Sequence, residues 1–336
     1  MLDSEARAAH QGGPTRRSVL QYGAAGLATV VGGGAGLVRW TAPAAAATND
    51  YALFVNDGQI SMIDGQALYL WGFGSTPETV SVPGAVLQAV AGDTVTVAVR
   101  NNLDEPHAFT IIGVVDSGAI PPGASRVVSF TAPAPGTYLY ADGLSPAHRV
   151  MGLHGALVVM PAGITDRPYV GGPRFRQQFV WVLNEIDYRF SQAAAQGRRI
   201  DPGTFEPQYF TINGRSGILS SHAEDTVPHG RVGDATLIRI VSAGMAVHGP
   251  HFHGNHVLML EPKGSGSWRP GMMKDTFYVA PTETVNVLLP FDAPPDAEPP
   301  VTSSHYPMHD HIEMSQTAFG GNYTSGMVTD WVLEGA

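Results

Sequence analysis

His248-Gly249-Pro250-His251-Phe252-His253-Gly254 is the stretch around which the chain is organised, and His305-Tyr306-Pro307-Met308-His309-Asp310-His311 is its distant partner. In a strand, alternate side chains share a face. His251 and His253 therefore point one way, as do His309 and His311. Two neighbouring strands of this kind present four imidazoles to one space. Imidazole suits copper, zinc, iron and nickel, and an acid–base dyad has no use for so many. The competing reading is a set of polar loop histidines, which would suffice for a single His-x-His.

Working outward, the same stretch reveals an internal repeat. Gly92-Asp93 leads to His107 and Gly233-Asp234 leads to His248, fifteen residues on in both cases. Further along, Tyr138-Leu139-Tyr140-Ala141-Asp142-Gly143 lies over Tyr306-Pro307-Met308-His309-Asp310-His311. Two copies of one β-sandwich account for this simply. In the first copy Thr110, Ile112, Ala141 and Gly143 stand where the second has His251, His253, His309 and His311. Only the second copy can assemble the four-histidine array.

Composition agrees with an all-β chain. Gly 40 and Pro 26 are high in 336 residues, charge is sparse, and cysteine is absent. There is thus no disulfide, no thiolate ligand and no cysteine nucleophile. The formal charge of -10 argues against nucleic acid and against an anionic membrane surface. Short strands separated by turns run from Tyr51 onward. Asn56-Asp57-Gly58 and Asp64-Gly65 both read as hairpin turns. Val95–Val99 alternates as a half-buried strand. Gly155–Met160 closes a first core, Phe179–Leu183 opens a second, and a short helix is expected within Glu185–Gln196.

The chain start is a targeting segment. Thr15-Arg16-Arg17-Ser18-Val19-Leu20 carries a twin arginine, an apolar Gly/Ala-rich run follows, and Ala42-Pro43-Ala44-Ala45-Ala46-Ala47 resembles a cleavage region. The competing reading is a membrane anchor, for which the run is about long enough. The expected plan is an export signal over 1–47, a first sandwich over 48–162, a Pro/Gly-rich linker over 163–176, and a second sandwich over 177–336. Export through the twin-arginine route leads to the periplasm or the exterior, with no stable membrane insertion after cleavage.

These residues carry a resemblance. The chain after the signal resembles the two-domain multicopper oxidases and copper nitrite reductases, built from cupredoxin-like Greek-key β-sandwiches in tandem. That family's last domain carries H-P-x-H-x-H-G, which His248, His251, His253 and Gly254 fit with Gly249 for the proline. Its H-C-H is matched by His309-Asp310-His311, and Phe210-Thr211-Ile212-Asn213-Gly214 is also similar. The resemblance implies copper as cofactor. It implies His251 as a type 2 ligand, His253, His309 and His311 as type 3 ligands, and His248 as a type 1 ligand.

The departures from the family pattern are specific. The type 1 cysteine position holds Asp310, the following histidine position holds Ser315, and the axial methionine position falls near Gly320. A blue copper centre needs a thiolate. The usual electron route through that cysteine is cut, and the first copy supplies no histidines to a shared cluster. The first copy keeps a second candidate site in His107, Asp142 and His148, with Leu153 at the axial position. Two histidines and a carboxylate suit Zn, Cu(II) or Fe(II). The alternative there is a vestige in which Asp142 accepts hydrogen bonds from both imidazoles. His154 reads as a rim residue or a ligand.

The expected protein is an exported copper-binding member of this family with oxidoreductase chemistry at a non-blue site. Small molecules, oxygen among them, are its expected partners. Two other classes stay open, a metal-sequestering or carrier protein and a metal-free cupredoxin scaffold. The resemblance also implies a homotrimer, in which one chain's first domain faces the next chain's second domain. In this chain Ile112 would add apolar area to that contact.

Overall fold

A computed structural model of the chain describes residues 49–263, 267–297 and 303–335. The expected export signal, residues 1–47, lies outside the described residues. The strands assemble into four sheets among the described residues.

Two sheets come from residues before 161. One orders β2 (Ala67–Gly74), β1 (Asn49–Ser61), β4 (Thr94–Asn101) and β7 (Ser125–Thr131). The other orders β3 (Leu87–Val90), β9 (His154–Met160), β8 (Gly136–Ala141), β5 (Thr110–Ile111) and β6 (Val115–Asp116). Two further sheets come from residues after 176. One orders β11 (Tyr209–Ile212), β10 (Gln177–Ile186), β13 (Thr236–Ser242), β17 (Thr284–Leu289), β15 (Val257–Lys263) and β16 (Ser267–Lys274). The other orders β12 (His229–Gly230), β19 (Val328–Glu334), β18 (Ser303–Asp310) and β14 (Pro250–Phe252). The fold is all-β and cupredoxin-like. Helices are short: α1 (Pro146–Val150), α2 (Tyr188–Ala195) and α3 (Ile218–Ser221).

The repeat is visible in the pairing. β1 runs parallel to β4, as β10 does to β13. Thr110 pairs with Ala141, and His251 pairs with His309. His107 bridges to Ile120 and His248 to Val279. The equivalences read from spacing are thus equivalences of register.

Period-two alternation explains why the central strands are apolar on both sides. In β9, Leu157 and Val159 enter the core of the first sandwich, while Ala156, Val158 and Met160 enter a cluster shared with Val180, Val182, Leu237 and Val241. In β10, Phe179, Trp181 and Leu183 turn the other way, onto Phe252, Phe291 and Trp331. One buried cation lies in this joint. Arg239 Nε donates to Gln178 Oε1 (2.9 Å) and Nη1 to Thr137 Oγ1 (3.0 Å). Burial pushes its pKa down to about 9.

One expectation is corrected. Asn56-Asp57-Gly58 is no hairpin, since β1 runs unbroken from Asn49 to Ser61 and Gly58 pairs with Leu70. Both residues serve a loop that crosses the ribbon. Asn56 Nδ2 donates to Thr76 O (3.0 Å), and a Cβ on Gly58 would meet Val80 Cγ1 at 2.6 Å. The turn is made at Asp64-Gly65, where Gly65 takes φ +82° and its N–H donates to Met62 O (3.0 Å).

Candidate metal centre

The short strand β14 and the end of β18 build the site. Their register sets His251 beside His309, and His253 follows on the same face two residues on. The turn after His253 needs its glycine. Gly254 has φ +79°, and a Cβ there would meet Tyr306 Cδ1 at 2.6 Å. The indole N–H of Trp331 donates to His253 O (2.8 Å) and ties β14 to β19.

One ring nitrogen from each of His251, His253 and His309 falls within 4.8 Å of the others. Nε2 of His253 and Nε2 of His309 are 3.2 Å apart. Two nitrogens sharing one metal at about 2.0–2.1 Å in tetrahedral geometry stand about 3.3–3.4 Å apart, so this spacing fits a common ion. His311 stands at the rim, its ring 5.2 Å from that of His251 and 5.7 Å from that of His309. It lies outside the group of three.

Outer hydrogen bonds select the free nitrogen. His251 Nδ1 is 2.7 Å from Thr276 Oγ1, and His309 Nδ1 donates to Asp310 O (3.0 Å). Both rings are left with Nε2 for the cluster. Burial lowers the pKa of His251 and of His253, and the neighbouring imidazoles lower both further. Neutral rings keep the lone pairs that a metal needs. Thr276 is a contributor that sequence reading missed, and nothing in its local sequence signals it.

His248 is not in this group. Its ring is fully buried between two carboxylates, with Nδ1 donating to Asp310 Oδ2 (2.5 Å) and Nε2 to Glu185 Oε1. Burial opposes its charge, but the two carboxylates prevail and hold its pKa up at about 9. Both nitrogens carry protons at neutral pH, so neither is available as a ligand. Glu185 also went unnoticed in the sequence. Its signal is a carboxylate close behind the apolar run Phe179–Leu183 of β10, where it is 0% exposed.

In the first copy, Asp142 Oδ2 lies 2.7 Å from His107 Nδ1 and 2.9 Å from His148 Nδ1. Trp71 packs its edge against both rings. Burial opposes ionisation of Asp142, but the two imidazole hydrogen bonds leave its pKa below the usual carboxylate range. The three side chains also converge closely enough for one ion. Leu153 is fully buried, and its backbone N–H donates to His148 O (3.2 Å) while its carbonyl accepts from Asp142 N (2.9 Å). His154 is buried with Nδ1 2.7 Å from Arg149 O, and burial holds its pKa down at about 4.

Residues 79–163 match the family model described as multicopper oxidase. The chain is 26% identical over 239 residues to the copper-containing nitrite reductase of Pseudomonas chlororaphis, covering 64% of each chain. It is 25% identical over 243 residues to Laccase-20 of Oryza sativa subsp. indica, covering 64% of this chain and 39% of that one. The chain is thus similar to multicopper oxidases and copper nitrite reductases. It spans less than two thirds of the length of the Pseudomonas relative. Among solved structures, the blue copper oxidase of Nitrosomonas europaea superposes with a TM-score of 0.70 at 22% identity, covering 85% of this chain and 86% of that one. The copper nitrite reductase of the same organism gives 0.65 at 17%, covering 85% and 94%. At those identities the likeness speaks for the fold. A cysteine is absent from the whole chain, unlike the type 1 pattern of the family it resembles.

Proposed function

We propose that this chain binds copper through His251, His253 and His309, with His311 able to complete the set. The carrying observation is the convergence of three imidazoles, two of which, His251 and His309, have Nδ1 engaged by outer partners and so turn Nε2 to the cluster. Bound copper would supply one-electron chemistry, and a site with three protein ligands keeps a position for a small molecule such as oxygen, nitrite or a phenol. The protein's own share is to hold three rings at ligand spacing and to leave their outer face open. His253 and His311 are exposed. The same openness supports a second reading, a carrier that loads and releases copper.

Further elements belong to this proposal. The chain is exported by its twin-arginine segment to the periplasm or exterior and acts as two tandem cupredoxin units. Among the described residues no helix is long and apolar enough to cross a membrane. It assembles as a trimer in which the first unit covers the next chain's histidines, a role suited to Ile112, which is 67% exposed.

The test is copper titration of the purified protein, read by metal content, absorption and electron paramagnetic resonance. Tight uptake with weak ligand-field absorption and imidazole nitrogen couplings is expected. An intense blue band, or no uptake, overturns the reading. Oxygen or nitrite consumption by the loaded protein separates the redox role from carriage, and light scattering checks the trimer.

A further inference from the structure

Glu185 lies in β10, far in sequence from every histidine of the candidate centre, yet it is the far end of a buried bar that reaches them. Its Oε1 faces His248 Nε2, and its Oε2 accepts from Met245 N (2.7 Å) and Ala246 N (3.3 Å). The loop is shaped for it, since a Cβ on Gly244 would meet Glu185 Oε1 at 1.9 Å. Arg149 of α1 clamps the same loop by donating to Ala243 O (2.8 Å) and Gly244 O (3.1 Å). At the near end, His248 Nδ1 holds Asp310 Oδ2. Asp310 Oδ1 in turn accepts from Gly249 N (2.8 Å) and Ile312 N (3.0 Å). Asp310 is the residue between His309 and His311, and the N–H of His311 donates to Gly249 O (2.8 Å). The side chains of Glu185, His248 and Asp310 are all 0% exposed.

We propose that Glu185 is a positioning residue for the copper site, setting the orientation of His309 and His311 through the carboxylate–imidazole–carboxylate bar Glu185–His248–Asp310. The inference rests on the proposed copper site for its functional meaning, but its geometry does not. A buried carboxylate without a partner is costly. Among the described residues Asp310 Oδ2 has His248 as its partner, and the far side of the His248 ring is held by Glu185. Outer partners of metal ligands commonly change affinity about 10–100-fold when removed. A bar that fixes two ligand-bearing residues from one point should act in the same range.

The experiment uses the full chain with Glu185→Gln, which keeps size and removes charge, beside Asp187→Asn as control. Asp187 is also buried and two residues away, but its partners are Arg189 and the Glu206 N–H. Copper affinity is measured against a chromophoric chelator, and the copper paramagnetic resonance spectrum is recorded. Ring resonances of His309 and His311 are followed by NMR in the metal-free protein, with circular dichroism for the fold. Glu185→Gln should stay folded, weaken copper about tenfold or more, alter the copper hyperfine pattern and move both ring resonances. Asp187→Asn should leave pattern and resonances in place. Unchanged affinity, spectrum and resonances in Glu185→Gln overturn the proposal, as do equal changes in Asp187→Asn. If the unaltered protein takes up no copper, the proposed function fails instead. The metal-free resonances then decide the positioning role, and unmoved rings overturn it.

Discussion

His107 and His248 occupy the same place in two copies of one sandwich, and each faces an aspartate at the same place, yet they end in different chemistry. Around Asp142, two imidazoles converge through Nδ1 on a single carboxylate oxygen. Around Asp310, the second imidazole is gone. Ser315, at that position by resemblance, is buried with its hydroxyl on Ile312 O (2.6 Å). The other nitrogen of His248 is taken by Glu185 instead. A converging group became a linear bar, which offers no lone pair to a metal. The outer faces diverge in the opposite sense. The pair Thr110–Ala141 is small and the pair His251–His309 is a candidate ligand pair, on one register. Even Gly143 is committed, since a Cβ there would meet Thr110 Oγ1 at 2.4 Å. One scaffold thus carries a buried polar group and an outer face that vary independently.

The largest effect should come from breaking the outer face of the second copy. His251→Ala or His309→Ala removes one of three converging imidazoles, so copper affinity should fall by more than the about 10–100-fold of an outer-partner change. His256→Ala should change it little. Equal copper affinity in all three variants, measured by chelator competition, would move the site elsewhere.

Next come the two aspartates. Asp310→Asn leaves a buried, charged ring with one carboxylate instead of two, and breaking such a pair costs about 3–5 kcal/mol. Asp142→Asn exchanges a carboxylate oxygen that takes two imidazole contacts for an amide, so the loss is one of hydrogen bonding, about 1–3 kcal/mol. Urea unfolding of both variants checks the order, and a larger loss for Asp142→Asn would refute the contrast.

The two copies also differ in the pH limb on which they weaken. The folded pKa of His154 is depressed to about 4 from 6.5, so the unfolded chain binds the extra proton between those values. Its stabilisation is complete above the unfolded value and is lost as pH falls, by up to about 3 kcal/mol at 1.36 per pKa unit. His248 is raised to about 9 by Asp310 and Glu185 against the opposing effect of burial. Its contribution is complete below 6.5 and is lost as pH rises through 9. Stability measured from pH 4 to 10 should therefore fall on both sides, with His154→Gln flattening the acid limb and His248→Gln the alkaline limb. An alkaline limb that persists unchanged in a folded His248→Gln protein would contradict the assignment.

Much of this was legible in the sequence because it follows from period and spacing. The alternation of His251 with His253 and of His309 with His311, and the fifteen-residue match of the repeats, needed only strand geometry. The bar was not legible, because Glu185 meets His248 across 63 residues of sequence and only the packed sheet brings them together. The role read for His248 depended on a neighbour whose pairing with it no local pattern announces. Asn56-Asp57-Gly58 failed for a related reason. Turn chemistry is local, but the loop at Thr76–Val80 that uses those residues is not.

The smallest expected effect is on copper content when the first copy is altered. His107, Asp142 and His148 come close enough for one ion. The protonation balance disfavours it. A metal on Nδ1 of His107 would force the proton onto Nε2, which is buried with no acceptor. With the Nδ1 proton shared with Asp142, Nε2 is a bare acceptor, and a carbonyl-like orphan of that kind is tolerated more readily than an orphan N–H. Copper would also have to displace two hydrogen bonds that already satisfy the carboxylate. His148→Ala should therefore leave the bound copper per chain unchanged if the ion resides at the second copy, as proposed. Elemental analysis of the loaded protein decides it. A loss of one copper per chain in His148→Ala, with His251→Ala losing another, would show that both copies hold metal and that the polar group around Asp142 is a site in its own right.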